Sequence, residues 1–291
     1  MASIKKILAL VNPRRDQHAA AERAAMLAAS MGAELRLHGV TYEPAANFDL
    51  FHLLDRDHAA RGYEDEAREK IEALAKELTA TGVGPINVTT TWRHPFDRGV
   101  LDAVEADWPD LVLLEAREPD RLSQAEWRVL HQCEVPVWLV RSRPWPDPAE
   151  IAACVDPAHR SSARSQADRE VLSWTKAVQD LGSVHVLHAL HDLPEAKDET
   201  VHAEYLDQLK ADRRAKIEKL AEPYLGAAPT LEMAAVEPDE MMRAFAQREN
   251  AGLVVMGVFS RSRLADLLIG STARRVLPDL PCDVLTVPAD R

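Results

Sequence analysis

The feature that most constrains the fold is an order of strands and helices that occurs twice along this chain of 291 residues. Short apolar runs alternate with helical segments from Ile4–Val11 to Val135–Val140, and the order restarts at Ile151–Val155, about 145 residues further on. Strands that alternate with helices build a parallel sheet. The sequence therefore predicts two tandem α/β domains of five strands each, over residues 1–143 and 149–291.

Matching turn residues support the duplication. The first strand ends in Asn12-Pro13 in one copy and in Asp156-Pro157 in the other, and Asp or Asn before Pro is typical of a turn. Between the copies, Arg141–Pro148 holds three prolines in eight residues, which cannot continue a strand or a helix. This segment is predicted to be a short stiff linker, with Trp145 packed on a domain face.

Composition excludes several classes of protein. Lys and Arg number 35 against 47 Asp and Glu, for a net charge of −12, whereas a nucleic-acid binder needs a basic face. No apolar run approaches the roughly 18 residues of a membrane span. The three cysteines are widely separated, which predicts buried reduced thiols rather than a disulfide framework or a zinc ribbon. We expect a cytoplasmic protein that does not bind nucleic acid.

The most informative stretch for function lies near the C-terminus. Its apolar run, Leu253–Met256, stops at Gly257, a polar loop follows, and Gly270-Ser271-Thr272 opens a helix. Glycine lets the backbone turn sharply and approach a ligand, and a helix N-terminus favours an anion. This pattern indicates a phosphate site. The alternative is an ordinary strand-to-helix turn with a Ser or Thr cap.

The same stretch resembles the glycine motif of nucleotide-binding members of the universal stress protein family. Gly257 matches the first glycine of that motif and Gly270-Ser271 its end, whereas Ser260 stands in place of the middle glycine. The order of elements along the whole chain resembles the tandem, two-domain members of that family. The resemblance implies a doubly wound sheet in each copy and a stress-response binding or signalling protein.

The resemblance also implies a ligand, ATP or ADP with Mg²⁺, in the C-terminal domain. Asp156 would contact the ribose end, while the residues after the fourth strand would hold the phosphates. The implied binding residues are Asp156, Pro157, Ala189, Met256, Gly257, Ser260, Gly270, Ser271 and Thr272.

The first copy departs from this pattern at both ends of the site. It has Asn12 where the second has Asp156, and Glu115 where the second has Gly257. A carboxylate at that point would repel phosphate. The interval that follows is also shorter, 25 residues against 30. The first copy is therefore predicted to bind no nucleotide in the family mode and to serve as a structural partner.

Other candidate sites are weaker. His185, His188 and His191 alternate along one strand and span about 20 Å, so no single metal ion can collect them, and no metal site is predicted. His188 lines up with His38, which favours packing. Asp97, Asp102 and Asp107 recur every five residues, which does not stack on one helical face, and are interpreted as solvated. No catalytic motif is present.

Three functions stay open at this point. The first is a nucleotide-binding module, the second a slow ATPase that uses the same pocket, and the third a protein-interaction module or a binder of lipid-like ligands. For the third, the apolar segment 44–54 and Ala189–Leu193 would line the pocket. Pairing of Val137–Val140 with Val284–Val287 would make an intrachain pseudo-dimer and remove an exposed edge, with a homodimer as a further possibility.

Overall fold

The computed structural model describes residues 2–42, 56–118, 121–158, 162–191, 199–227, 229–258 and 271–288. They form two compact units: the first repeat is Ile4–Glu118 with Leu122–Arg143, and the second repeat is Pro144–Arg291 with Met1–Ser3 and Pro119–Arg121. No helix in the described ranges is both long and apolar enough to cross a membrane.

The strands are β1 (Lys6–Val11), β2 (Glu34–Thr41), β3 (Ile86–Trp92), β4 (Leu111–Glu115), β5 (Val137–Val140), β6 (Glu150–Cys154), β7 (Ser183–Ala189), β8 (Thr230–Ala234), β9 (Leu253–Val258) and β10 (Asp283–Pro288). The helices are α1 (Ala19–Met31), α2 (Arg56–Thr79), α3 (Phe96–Asp107), α4 (Gln124–Gln132), α5 (Ser162–Val178), α6 (Glu199–Leu225), α7 (Pro238–Arg248) and α8 (Ser271–Val276). A 3₁₀ turn, Gln179–Leu181, extends α5.

Each repeat holds a parallel five-stranded sheet, in the order β3-β2-β1-β4-β5 in the first and β8-β7-β6-β9-β10 in the second. The chain moves outward from the central strand in one direction, then returns across it and moves outward in the other. Because such crossovers are right-handed, the first two helices of each repeat cover one face of its sheet and the last two cover the other. Accordingly α3 packs with α4, α5 with α6 and α7 with α8. The predicted fold class is confirmed.

Local sequence explains where the elements form. The central strands are apolar on both faces because helices cover both, and Ile7, Leu8 and Ala9 of β1 are fully buried. Ser123 and Glu126 exchange hydrogen bonds with each other's backbone N–H in a capping box that begins α4. Pro238 opens α7, where its missing N–H costs nothing.

The two central strand pairs have the same register in both repeats. Ala9 pairs with Leu113 in the first repeat, and Ala153 pairs with Val255 in the second. Counting along the strands from these pairs makes Asn12 the counterpart of Asp156 and Glu115 the counterpart of Gly257. The alignment of these residues from sequence therefore agrees with the structure.

The next strand does not follow that alignment. Ala9 pairs with Leu37, whereas Ala153 pairs with Val186, so the structural counterpart of His188 is Gly39 and not His38. The predicted correspondence of His38 and His188 is wrong. The cause is one additional residue between Gly32 and β2, compared with the connection between Gly182 and β7 in the second repeat. A shift of one residue along a strand moves a side chain to the other face of the sheet.

Three further expectations need correction or lie outside the described part. β9 does not end at Met256 but continues through Gly257 to Val258. Asp97 and Asp107 are not solvated: Asp97 is buried and pairs with Arg128 at 3.4 Å, and Asp107 pairs with Arg36. The apolar segment 44–54 falls in residues 43–55, which are not described.

Candidate functional site

The candidate site of the second repeat lies where β6 and β9 run side by side. From β6 the sheet continues through β7 to β8 on one side, and from β9 to β10 on the other. This is the topological switch point, and ligands of doubly wound sheets bind there at the carboxyl ends of the strands. Asp156 follows β6 by two residues, and Gly257 is the penultimate residue of β9.

Asp156 has a turn role that the first repeat shares. Its Oδ1 accepts a hydrogen bond from the N–H of Ala158 at 3.1 Å, and the Oδ1 of Asn12 accepts one from the N–H of Arg14 at 3.0 Å. An amide therefore suffices for this turn. The negative charge of Asp156 is not needed for the local structure, and its side chain is 22% exposed.

Two buried titratable groups support Asp156 from below. The carboxylate of Asp168, on α5 and only 7% exposed, accepts the backbone N–H of Asp156 at 3.0 Å. The buried ring of His188 places Nδ1 3.8 Å from the Asp156 Oδ1 and 3.1 Å from the Val155 carbonyl oxygen. That carbonyl can only accept, so it fixes the Nδ1–H tautomer of a neutral ring.

Burial shifts both of these groups toward their neutral forms. It raises the pKa of Asp168 to about 6, against an ordinary value of 3.8; the nearby negative charge of Asp156 adds to this, while the Asp156 N–H opposes it. Burial also lowers the pKa of His188, against an opposing attraction from Asp156. The floor of the site therefore carries a carboxyl group that titrates near neutral pH.

Sequence reasoning did not single out Asp168. A signal was present, because Asp168 shares the apolar stripe of α5 with Val171, Leu172 and Thr175 at helical spacing, and all four are buried. In the first repeat the residue at the same distance from Asn12 is the buried Ala24. A carboxylate in an apolar stripe, opposite alanine in the other copy, marks a position with a special role.

Gly257 has a packing reason that the sequence did not reveal. A Cβ at this position would lie 3.3 Å from the Cβ of Ala167 and 3.7 Å from Val171 Cγ2, so the glycine allows α5 to pack closely on β9. Ala189 is buried at the end of β7 and Met256 two residues before the end of β9, and Pro157 is half-buried beside Asp156. Gly257, Met256, Ala189 and Pro157 thus lie at or near the carboxyl ends of their strands.

The phosphate half of the predicted site lies mostly outside the described residues. Ser260 and Gly270 fall in the undescribed 259–270, together with Arg261 and Arg263, and the Ser271 side chain is likewise not described. Thr272 lies in the first turn of α8 and is half-buried. Arg275, on α8, pairs with Glu237 at 3.0 Å and with Asp239 at 3.2 Å.

The equivalent point of the first repeat is closed by an ion pair. Glu115 Oε1 lies 2.8 Å from Arg15 Nη1 and accepts a hydrogen bond from the Ser142 hydroxyl at 2.9 Å. The second guanidinium nitrogen of Arg15 donates to the Arg117 carbonyl oxygen at 2.8 Å. A carboxylate and its bound guanidinium occupy the edge where the second repeat has a glycine.

The histidines of β7 go to separate partners. His185 Nε2 lies 2.9 Å from Glu150 Oε2 and its Nδ1 3.4 Å from Glu232 Oε1, whereas His188 contacts Val155 and Asp156. Burial raises the pKa of the Cys154 thiol to about 12, which disfavours the thiolate form that binds metals. Within the described ranges, no group of three His, Cys, Asp or Glu side chains could hold a metal ion.

The fold defines a class: a tandem pair of doubly wound α/β domains. A model of the Universal stress protein family matches residues 3–141 and 151–288. The chain belongs to the universal stress protein family. It is a tandem-domain protein similar over its full length to universal stress protein E.

Individual relatives agree with this assignment. Universal stress protein E of Salmonella typhi is 26% identical over 311 aligned residues, covering 100% of this chain and 96% of the relative. The Escherichia coli K12 protein of the same description is 25% identical with the same coverage. The structure titled as a putative universal stress protein from Pseudomonas aeruginosa UCBPP-PA14 superimposes with a TM-score of 0.74 at 22% identity, covering 99% of this chain and 94% of its own.

Proposed function

We propose that the protein is a stress-response binding module whose second repeat binds ATP or ADP, or a related phosphate ligand, at the carboxyl ends of β6 and β9. The observation that carries the proposal is the carboxylate of Asp156 at the switch point. Its charge exceeds what the turn needs, since Asn12 makes the same turn without one. A carboxylate is a strong acceptor for the hydroxyl groups of a ribose.

The neighbourhood of Asp156 supports a ligand role. The main chain at Asp156 is held by a buried carboxylate, and His188 lies beneath it, so the side chain is presented on a fixed base. Gly257, next to Met256 on the adjoining strand, lets α5, the helix that carries Asp168, pack closely on β9. Ser260, Gly270, Ser271 and Thr272 complete the proposed phosphate contacts on the spacing of the glycine motif.

Calorimetric titration of the full chain with ATP and ADP, each with Mg²⁺, tests the proposal. We expect one site per chain. Asp156→Asn keeps the turn but removes the charge, and loss of a charge-assisted hydrogen bond of about 1.5–3 kcal/mol should weaken binding roughly ten- to a hundredfold. The matched control is Asn12→Ala at the equivalent turn of the first repeat, which should leave the affinity unchanged.

Two variants in the glycine loop address the phosphates. Gly270→Val adds bulk where the backbone should approach a phosphate and should abolish binding, whereas Ser260→Gly restores the family's middle glycine and should tighten it. Thermal melts check that each variant folds. Two equivalent sites per chain, or full affinity in both Asp156→Asn and Gly270→Val, would contradict this assignment of the site.

A further inference from the structure

A large cleft lies at the carboxyl ends of β1, β2 and β3 in the first repeat. Its volume is about 740 Å³, within the range of about 300–1,000 Å³ that is usual for small-molecule sites. Side chains from α2, from the start of α3 and from α4 complete its walls. The size and the convergence of several elements are those of a ligand site.

The charge of this cleft is opposite to that of the whole protein. Its described lining contains two acidic side chains, Glu66 and Asp97, against six basic ones, although the chain has a net charge of −12. Clefts lined by one sign of charge concentrate ligands of the other sign. The basic residues are Arg14, Arg15, Lys70, Arg93, Arg117 and Arg128.

Aromatic rings from three elements form one side of the cleft. The ring centroid of Tyr42, just after β2, lies 5.8 Å from that of Trp92 and 4.3 Å from that of His94. Tyr63 on α2 stacks on Trp92 with centroids 5.8 Å apart and planes 25° apart, and it is 40% exposed. Such a row of rings offers faces and edges on which a flat ligand ring can stack.

Some of the basic side chains are held by partly buried groups, and others form exposed ion pairs. Arg15 is held by Glu115, and the Arg117 guanidinium lies over the Phe96 ring at 5.1 Å. Lys70 pairs with Glu66 on α2 with both side chains more than half exposed, and Arg93 pairs with Asp102 in a similar way. Exposed pairs of this kind are weakly held, so an anion can compete for these cations.

Arg14 joins Lys70 at the same end of the cleft. Its guanidinium donates to the Tyr42 carbonyl oxygen at 3.4 Å. The hydrogen bond and the charge of Lys70 lower the pKa of Glu66, and the charge of Arg14 adds a smaller part. The stacked pair of Tyr63 and Trp92 lies beside this cluster because Tyr63 and Glu66 are one turn apart on α2. Rings and cations therefore lie together at this end of the cleft.

We propose that the first repeat has a ligand site of its own, and that this cleft binds an organic anion that carries a flat ring. The ring stacks against Tyr63 and Trp92, and the acidic group faces Arg14, Lys70 and Arg93. This assignment differs from nucleotide binding in the family mode, because the carboxylate of Glu115 stands where that mode requires glycine. The first repeat is thus more than a structural partner.

The test uses naphthalene-2-sulfonate as the probe, titrated into the full chain by calorimetry with the Trp92 indole N–H signal followed by NMR. Two matched compounds separate the requirements: cyclohexanesulfonate lacks the flat ring, and naphthalen-2-ylmethylammonium reverses the charge. We expect the sulfonate probe to bind and to shift the Trp92 signal, and both matched compounds to bind at least tenfold more weakly. Equal binding of either compound would overturn the proposal.

Matched variants locate the site. Tyr63→Ala and Lys70→Gln should each weaken the probe at least fivefold. The controls lie on α6 of the second repeat: Tyr205→Ala removes a tyrosine that is 42% exposed, and Lys216→Gln removes a lysine paired with an acidic residue one turn earlier, as Lys70 is. Both controls should bind normally.

A further variant distinguishes the proposed cleft site from the proposed nucleotide site. Asp156→Asn should leave the affinity for naphthalene-2-sulfonate unchanged, whatever it does to ATP. If Tyr63→Ala and Lys70→Gln both bind the probe as the parent does, or if Asp156→Asn loses it, the cleft is not the site and the proposal is wrong.

Discussion

The two repeats share a backbone and differ at the carboxyl ends of their central strands, where doubly wound sheets in general bind ligands. Their central strands pair in the same register, yet one edge carries Asn12 with the Glu115–Arg15 ion pair and the other carries Asp156 with Gly257. The shared register is kept by apolar strands that are buried on both faces. The comparison shows that this fold tolerates opposite chemistry at its switch point, because these residues lie at the carboxyl ends of the strands or just beyond them.

A second difference lies one strand further out. In the second repeat, His188 is buried beside the Val155 carbonyl and Asp156, whereas its counterpart in the first repeat is Gly39, where a Cβ would meet the Ile71 side chain of α2. His38 instead bonds to Thr89 at 2.8 Å, and burial lowers its pKa to about 4. The support beneath Asp156 is thus particular to the second repeat.

The largest expected effect is on the free energy of unfolding, and it differs between the glycines that end α1 and the 3₁₀ turn after α5. Gly32 has a left-handed φ of 65° and open space around it, whereas a Cβ at Gly182 would collide with the backbone carbonyl of Ala149. Gly182→Ala should lower the free energy of unfolding by about 3–4 kcal/mol, since a backbone contact cannot relax easily. Gly32→Ala should cost only about 1–2 kcal/mol for the left-handed conformation. Chemical denaturation of both variants measures the difference.

Gly84→Ala supplies the control, because a Cβ there would meet nothing and its φ is not in the left-handed region. It should unfold like the parent. If Gly32→Ala proves the more damaging of the first two, the glycines do not differ in the way their surroundings indicate.

The next effect concerns the buried carboxyl group of the second repeat. Its pKa is raised from 3.8 to about 6, so the folded protein holds this proton more tightly than the unfolded chain does. Asp168 therefore makes its full contribution to the free energy of unfolding below about pH 4, and this contribution is lost as the pH rises through about 6. Asp168→Asn keeps an oxygen to accept the Asp156 N–H but cannot ionise, so it should stabilise the protein at pH 8, by up to about 3 kcal/mol.

Thermal melts between pH 4 and pH 8 provide the measurement, and the advantage of Asp168→Asn should shrink toward pH 4. Ala24→Asp, at the corresponding position of the first repeat, should instead destabilise, because it buries a carboxyl group without the Asp156 environment. A pH-independent difference between Asp168→Asn and the parent would show that ionisation of Asp168 is not the cause.

The smallest expected effect is the energetic coupling between Arg15 and Glu115 at the carboxyl end of β4 in the first repeat. A double-mutant cycle of Arg15→Met and Glu115→Gln should give a coupling energy of about 1 kcal/mol, since the Glu115 side chain is 12% exposed and that of Arg15 34%. The exposed Lys70–Glu66 pair serves as the reference and should show no resolvable coupling. Equal coupling in both pairs would mean that partial burial at the switch point adds nothing.

Much of this molecule could be predicted from local sequence. The apolar runs, the prolines and the glycines located the ten strands of the described residues, because strand and helix patterns repeat over a few residues. The positions of Asp156 and Glu115 at the sheet edge followed as well, since each comes at the end of an apolar run. The single additional residue after Gly32 was the point where counting failed, because spacing between anchor residues does not fix strand register.

By itself the sequence determined the duplication, the fold class and the charged residue at the second switch point, since these depend on neighbours in the chain. The tertiary structure alone decided which groups meet. Asp168 reaches the Asp156 backbone, Arg15 reaches Glu115 across 100 positions of sequence, and Tyr63 reaches Trp92. Such meetings depend on how helices pack over a sheet, where a shift of one residue changes the face of the sheet that a side chain occupies.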